Sequence, residues 1–274
     1  MLDLITVGEA FDDFVFYNLR ALPRPGCELE TRAFVRTSGG GAVITAVAAS
    51  RLGLRCGIVS ALSPDAVARL RAARVSVRNL RRSGEPAAVT VALSTTHDRR
   101  YVTFGGINDR LSARLRPIVP HLRARHVHCA FHPRPCRPWV RALERLRQRG
   151  ITSSWDFGWH PDLVWDRDFR RLCDVVDVLF LNRAEARLYG GIRRWRATPH
   201  PVVIKRGASG AWLVGGGFDI RRPAPRARVT DTTGAGDVFD AGFLTARLRH
   251  EPLSRALGLA NRLAAASTER AGGL

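Results

Sequence analysis

Residues 230–237 read Thr-Asp-Thr-Thr-Gly-Ala-Gly-Asp, and the apolar run Val-Phe-Asp-Ala-Gly-Phe-Leu follows at once. A polar approach, a small-residue turn and a helix start form an arrangement suited to anions. Gly234, Ala235 and Gly236 let a ligand come close to the backbone. The first N–H groups of a helix lack intrahelical partners and lie at the positive end of its dipole. A carboxylate at Asp237 would repel a phosphate but is well placed to take a proton from an attacking hydroxyl. The N–H groups would meanwhile stabilise charge on the group being transferred. The alternative is an aspartate that merely caps its own helix. The full string, with Asp231 and a second threonine, favours the proton acceptor.

The surrounding pattern is one of strands alternating with helices. Strands are expected at Leu2–Val7, Arg55–Ala61, Arg123–Cys129, Ile151–Trp155, Val175–Leu181 and Pro201–Lys205. Helices are expected at Arg137–Gln148, Phe169–Cys173 and Ala184–Tyr189, with two more, Ala235–Arg249 and Leu253–Glu269, at the end. A further apolar helix starts at the glycines 39–41 and stops at Gly53. Such alternation predicts an α/β fold: a three-layer α/β/α arrangement with a mainly parallel central sheet. Phe14–Tyr17, Glu28–Val35, Ala87–Leu93 and Arg100–Phe104 break the alternation and are expected to form a small β lid, from about 12–36 and 87–104, on a single domain spanning 1–274. Ligands of such sheets sit beyond the carboxyl ends of the strands. The segments after Val7, Val35, Leu181 and Thr230 are therefore the places to look.

Composition narrows the classes. The 274 residues are 45% hydrophobic, which suits a globular chain with a large core. There is no basic n-region or apolar spanning run, so a cytoplasmic protein without a membrane partner is expected. Five cysteines argue against a disulfide framework. The net charge of +20 would suit nucleic acid, but 43 of the 44 basic residues are arginine and they are spread along the whole chain. That pattern reads as a compositional bias rather than a binding arm, and its charge would equally attract an anionic small molecule.

With these residues in place, the sequence resembles the ribokinase-like carbohydrate kinases, the phosphofructokinase-B family, over nearly its whole length. Asp231-Thr-Thr-Gly-Ala-Gly-Asp237 is similar to that family's C-terminal signature. Gly39-Gly40 with Ala46 and Leu52-Gly53 is similar to the N-terminal one. Val7-Gly8 through Asp13, Leu181-Asn-Arg-Ala-Glu185 and Val203-Ile-Lys-Arg-Gly-Ala-Ser-Gly210 match its opening strand, Asn-x-x-Glu element and nucleotide turn. The resemblance implies ATP-dependent phosphorylation of a hydroxyl on a sugar or sugar derivative. Asp237 would be the base, and Gly234, Ala235 and Gly236 the anion hole. Asp13, Gly39, Gly40 and Thr45 would face the substrate. Asn182, Lys205, Gly207, Gly210 and Asn261 would lie by the nucleotide. Glu185 would organise Mg2+ through water, and Asp231 and Thr233 fall where many members bind a monovalent cation such as K+. Members often dimerise through the lid.

Some of the pattern is missing. Ile44 stands where the family carries a substrate-binding asparagine, and an aliphatic side chain offers neither donor nor acceptor. The family's Gly-Asp-Asp-x-x-Gly loop is replaced by Ser60-Ala-Leu-Ser-Pro-Asp65, which enters a helix directly. The substrate is thus not expected to be held as ribose would be. A nucleoside kinase and a ligand-binding relative without catalysis remain the alternatives.

Other motifs lead elsewhere. Asp156-Phe157-Gly158 matches a protein-kinase tripeptide, but the lysine and the His-Arg-Asp loop it needs are not upstream. Trp155–Pro161 follows a strand and is expected either to border the substrate or to pack as an aromatic loop. The single lysine, Lys205, is not in a Walker loop, and Phe239 stands where a dinucleotide fingerprint needs glycine. His126, His128, His132, Cys129 and Cys136 lie close together in sequence. Strand alternation separates His126 and His128 from Cys129, so a zinc cluster is disfavoured there.

Overall fold

The computed structural model describes residues 1–95 and 99–270. Its main sheet has nine strands in the order β13-β12-β11-β10-β9-β8-β1-β4-β5. These are β1 (Leu2–Gly8), β4 (Cys56–Ser60), β5 (Ser76–Asn79), β8 (Ala124–Ala130), β9 (Thr152–Asp156), β10 (Val178–Asn182), β11 (Val202–Lys205), β12 (Ala211–Gly215) and β13 (Phe218–Arg222). Pairing from β5 through β11 is parallel, while β11–β12 and β12–β13 are antiparallel.

The strands are apolar on both faces because both faces are covered. Along β10, Val178 and Phe180 enter one core cluster and Leu179 and Leu181 the other. One layer contains α1 (Gly41–Arg51), α2 (Pro64–Ala72), α8 (Ala235–Leu248) and α9 (Leu253–Ser267). The other contains α3 (Leu111–Leu115), α4 (Arg137–Gln148), α5 (Phe169–Val175), α6 (Arg183–Leu188) and α7 (Gly191–Arg196). Chain order reverses beside β1, which has β4 on one side and β8 on the other. Such a reversal opens a crevice at the strand ends.

A second sheet has the order β3-β2-β6-β7, from β2 (Phe11–Leu19), β3 (Phe34–Gly39), β6 (Val89–Thr95) and β7 (Arg99–Phe104). This is the expected lid, with one correction. The strand expected at Glu28–Val35 instead runs from Phe34 to Gly39. Its partner β2 offers pairing from Phe16↔Phe34 to Phe11↔Gly39, whereas Glu28 and Glu30 are exposed polar residues outside the ladder. Likewise, Val175 ends α5 instead of opening a strand, and β10 starts three residues later. The hairpin β12–β13 escaped the sequence reading. Its turn is Gly215-Gly216-Gly217, all at positive φ, a conformation that costs other residues more than glycine.

The described residues include no helix long and apolar enough to cross a membrane. Four of the cysteines are buried and unpaired, and Cys27 is exposed.

Candidate active site

Five neighbouring strands end at one side of the sheet, and four of them deliver polar side chains there. Glu9 follows β1, Ala130 ends β8, Asp156 ends β9, Asn182 ends β10 and Lys205 ends β11. Together with the start of α8 they line a cavity of about 570 Å3 that also takes in Gly41, Glu185, Gly207, Gly236 and Asp237. A larger cavity, about 880 Å3, lies at the opposite strand ends among Arg123, Arg149 and Arg247. The carboxylates of Glu9, Asp156, Glu185 and Asp237 line the smaller one.

Gly234 enters α8 with φ 71°, a left-handed conformation that favours glycine, and Ala235, Gly236 and Asp237 form the first turn. Asp237 therefore lies in the first turn of a 14-residue helix, where the Ala235 N–H donates to the Thr232 carbonyl at 3.3 Å and the next N–H groups precede the first intrahelical partner. Burial pushes its carboxyl up to about 7, with Asp156 and Glu185 adding to the shift and Lys205 opposing it. A proton acceptor that titrates near neutrality matches general-base chemistry at physiological pH. The Asp237 carboxylate looks across at Gly41, where an added Cβ would come within 3.0 Å of Oδ1. Gly41 belongs to the site although the sequence reading stopped at Gly40.

On the lid side, Asp13 lies on β2 against Gly39. A Cβ at Gly39 would fall 1.8 Å from Asp13 Oδ2, so the glycine is what admits the carboxylate. Burial raises the Asp13 carboxyl to about 7, helped by Asp12, Asp237 and Asp231. Thr45 has a different place from the expected one. It is fully buried on α1 and its hydroxyl donates to the Asp237 carbonyl at 3.2 Å, so it braces the turn rather than facing the cavity. Ile44 is buried beside it.

Asn182 and Glu185 form a reciprocal capping box at the start of α6. Asn182 Oδ1 accepts the Glu185 N–H at 2.9 Å, and Glu185 Oε2 accepts the Asn182 N–H at 2.8 Å. The Glu185 carboxyl still borders the cavity. Burial and Asp156 raise it to about 7, against the pull of Lys205. Asp231 is buried and its Oδ1 accepts from both the N–H and the hydroxyl of Thr233. Asn261 donates to the Arg222 and Pro223 carbonyls, tying α9 to the end of β13, while Gly210 packs against the same Arg222 carbonyl. Gly207 opens onto the cavity and Asn261 does not line it.

Two acids were not singled out in the sequence. Asp156 accepts from Lys205 Nζ at 2.6 Å and Asp240 from the same ammonium at 3.1 Å. Asp156 opens the tripeptide that resembled a protein-kinase element. Only the sheet places it beside Lys205, 49 residues on. Asp240 carried a readable signal: it follows Asp237 by three, so it shares a helix face with it. Carboxylate oxygens of Asp156, Asp237 and Asp240 lie within 4.8 Å of one another.

The histidine-rich stretch resolves as alternation predicts. His126 bonds Thr152 and Ser154, and His128 bonds the same Ser154 hydroxyl. Burial holds both rings below the usual histidine range. Cys129 enters the opposite core cluster.

A family model described as pfkB family carbohydrate kinase matches residues 1–274. Among curated proteins, a nucleoside kinase of Methanothermobacter thermautotrophicus is 26% identical over 90% of this chain and 83% of its own. An ATP-dependent ribose-1-phosphate kinase of Halopiger xanaduensis is 27% identical, with 99% and 94% covered. Among solved structures, adenosine kinase from Sinorhizobium meliloti superposes with a TM-score of 0.80 at 20% identity, covering 99% of this chain and 95% of that one. A protein described as a ribokinase II of Escherichia coli, in complex with ATP and Mg2+, gives 0.79 at 20% identity, with 100% and 94% covered. The ribokinase-like fold and the full-length family match agree, and the chain belongs to the pfkB family of carbohydrate kinases, a phosphotransferase family.

Proposed function

We propose that this chain transfers the γ-phosphoryl group of ATP to a hydroxyl of a sugar or nucleoside, with Asp237 as the general base. One observation carries the reading: a carboxyl tuned to about 7 stands at the rim of a glycine-built anion hole, inside the cavity where five strand ends meet. Asp237 takes the acceptor proton. The N–H groups at the start of α8 stabilise charge on the phosphoryl in flight. Asp13, on β2 and within electrostatic reach of Asp237, accepts hydrogen bonds from acceptor hydroxyls. Relatives named for nucleosides and ribose-1-phosphate make a ribosyl acceptor the leading class.

Mg2+ suits the donor set, which is oxygen-rich and contains Glu185 and Asn182 at the nucleotide side. Both Glu185 oxygens already accept from Asn182, which favours contact through water. When bound, the ion would neutralise charge on the transferring phosphates. Asp231 and Thr233 are the proposed monovalent-cation side.

A homodimer through the lid is the second part of the proposal. Pairing places Phe14, Phe16, Phe34, Val91, Val102 and Phe104 on one face of the small sheet. Phe34, Val102 and Phe104 are exposed. The opposite face carries Asp13, Val15 and Ala92, which are buried. The same pairing puts Asp12, Arg36 and Arg100 on the outward face, so the proposed surface is an apolar patch bordered by charge.

The test of function is release of ADP from Mg2+-ATP across a panel of sugars, sugar phosphates and nucleosides, with and without K+. Turnover with a ribosyl acceptor is expected. ATP binding without transfer to any acceptor would instead favour a ligand-binding relative.

A further inference from the structure

Lys205 is the one lysine of a chain whose other 43 basic residues are arginine. Among the described residues it is also the one lysine or arginine that lines the cavity beside the start of α8. Its Nζ lies 2.6 Å from Asp156 Oδ2, 3.1 and 3.2 Å from the two Asp240 oxygens and 3.4 Å from the Gly236 carbonyl. The three acceptor groups come from the end of β9, the second turn of α8 and its first turn. An ammonium has three donors in a tetrahedral fan, and here all three are directed to the protein. The side chains are 13% exposed for Lys205 and fully covered for Asp240. The ammonium also lies 5.8 Å over the Phe180 ring. Burial alone would discharge a lysine, but Asp156 and Asp240 outweigh it and hold the group well above its ordinary range.

A guanidinium does not fit this place. It is planar and longer, and it presents its donors as a flat fork instead of a convergent point. Gly236 makes room for the ammonium, since a Cβ there would come within 3.2 Å of Nζ. The chain uses arginine for every other cation. The exception falls where shape, and not charge alone, decides.

We propose that Lys205 is the positioning residue of the anion hole: a tethered cation that pins the Gly236 carbonyl and the second turn of α8 to the ends of β9 and β11, and so fixes the N–H groups and Asp237 against the transferring phosphoryl. It acts through the turn and does not itself spend a donor on the nucleotide. The inference rests on the kinase reading above.

The test compares K205R, K205M and the double variant K205M/D240N with wild type. K205M leaves Asp156 and Asp240 without a counter-ion and is expected to fold poorly. The double variant removes one of the two orphaned carboxylates, leaves Asp156, and is expected to fold better than K205M. K205R keeps the charge and loses the shape. Expected for K205R and the double variant are melting temperatures below wild type but above K205M, and, per folded molecule, ADP affinity changed less than about threefold and kcat lowered about 100-fold, the scale of a displaced reacting geometry or a lost anion-hole donor. The acceptor KM should change little. K205R with wild-type kcat, or losses in kcat matched by losses in folded fraction, overturns the inference alone. Wild-type protein that transfers phosphoryl to no acceptor overturns the kinase reading and this inference with it.

Discussion

At the residue scale the site is a problem of too many carboxylates. Asp13, Asp156, Glu185, Asp237 and Asp240 share one end of the sheet with a single lysine, and repulsion among them helps burial raise most of their pKa values. Asp156 is the exception: burial opposes its ionisation, but the Lys205 charge and hydrogen bond prevail and hold it below the usual range. The consequence for rate is direct. A base with a pKa of about 7 is protonated and idle in acid, so kcat should fall as pH drops through 7. Asp13 and Glu185 titrate in the same window, so the limb should be steeper than one proton, which a kcat–pH profile from pH 5.5 to 9 would reveal. Asp237→Asn should lower kcat by about 10²–10⁴-fold, the span of general-base catalysis, with ATP affinity retained in calorimetry. Full activity in that variant removes Asp237 as base. Stability should move the other way. A carboxyl whose folded pKa is raised stabilises the fold in its protonated form, and that contribution is lost as pH rises toward 7. Asp237→Asn should therefore raise the melting temperature more at pH 8 than at pH 5.

At the element scale, helix starts do the positioning. α8 presents its N–H groups because Gly234 turns the chain left-handed just before it, and Thr45 of α1 and Lys205 of β11 hold that turn from two sides. α6 is held by its capping box, in which Glu185 both caps the helix and borders the cavity. The box separates two roles by experiment. Asn182→Ala removes a cap, which costs about 1 kcal/mol of stability. It also frees the Glu185 carboxylate that Asn182 Nδ2 holds at 2.5 Å. A several-fold rise in the KM for Mg2+-ATP is expected beside the small loss in melting temperature. An unchanged KM would make Asn182 a cap and nothing more.

At the scale of the whole molecule, the lid has one face over the site and one turned outward. Val15 is buried while Val102 is 70% exposed, although both belong to the same small sheet. A dimer that covers Phe34, Val102 and Phe104 is expected by sedimentation equilibrium at micromolar concentration. Val102→Glu should yield monomers, since burying an unpaired carboxylate in an apolar interface costs more than a rim contact returns. Because Asp13 lies on the inward face, the acceptor KM should rise on dissociation. A wild-type chain that stays monomeric at high concentration rules the lid out as an interface.

Much of this was legible in the sequence because the information is local. Strand and helix periodicity, the glycines before α1 and α8, and the string from Asp231 to Asp237 depend on neighbours within a few residues. They determined an α/β fold with a small second sheet, the glycine turn before α8, and a helix over Ala184–Tyr189, whereas the capping role of Asn182 and Glu185 came from the structure. The strand at Phe34–Gly39 was displaced in the sequence reading because its limits are set by pairing with β2, which no local pattern carries. Asp156 was legible only as part of the Trp155–Pro161 loop and of a resemblance to an unrelated motif, and Asp240 only through its i+3 spacing from Asp237. Lys205 was conspicuous in composition but mute about its partners. Their meeting depends on parallel strands β9, β10 and β11 lying side by side with α8 across their ends. The sequence by itself singled out Asp237 as the expected proton acceptor. The tertiary structure decided which charges surround it, because electrostatic environment is set by distance in space and not by separation along the chain.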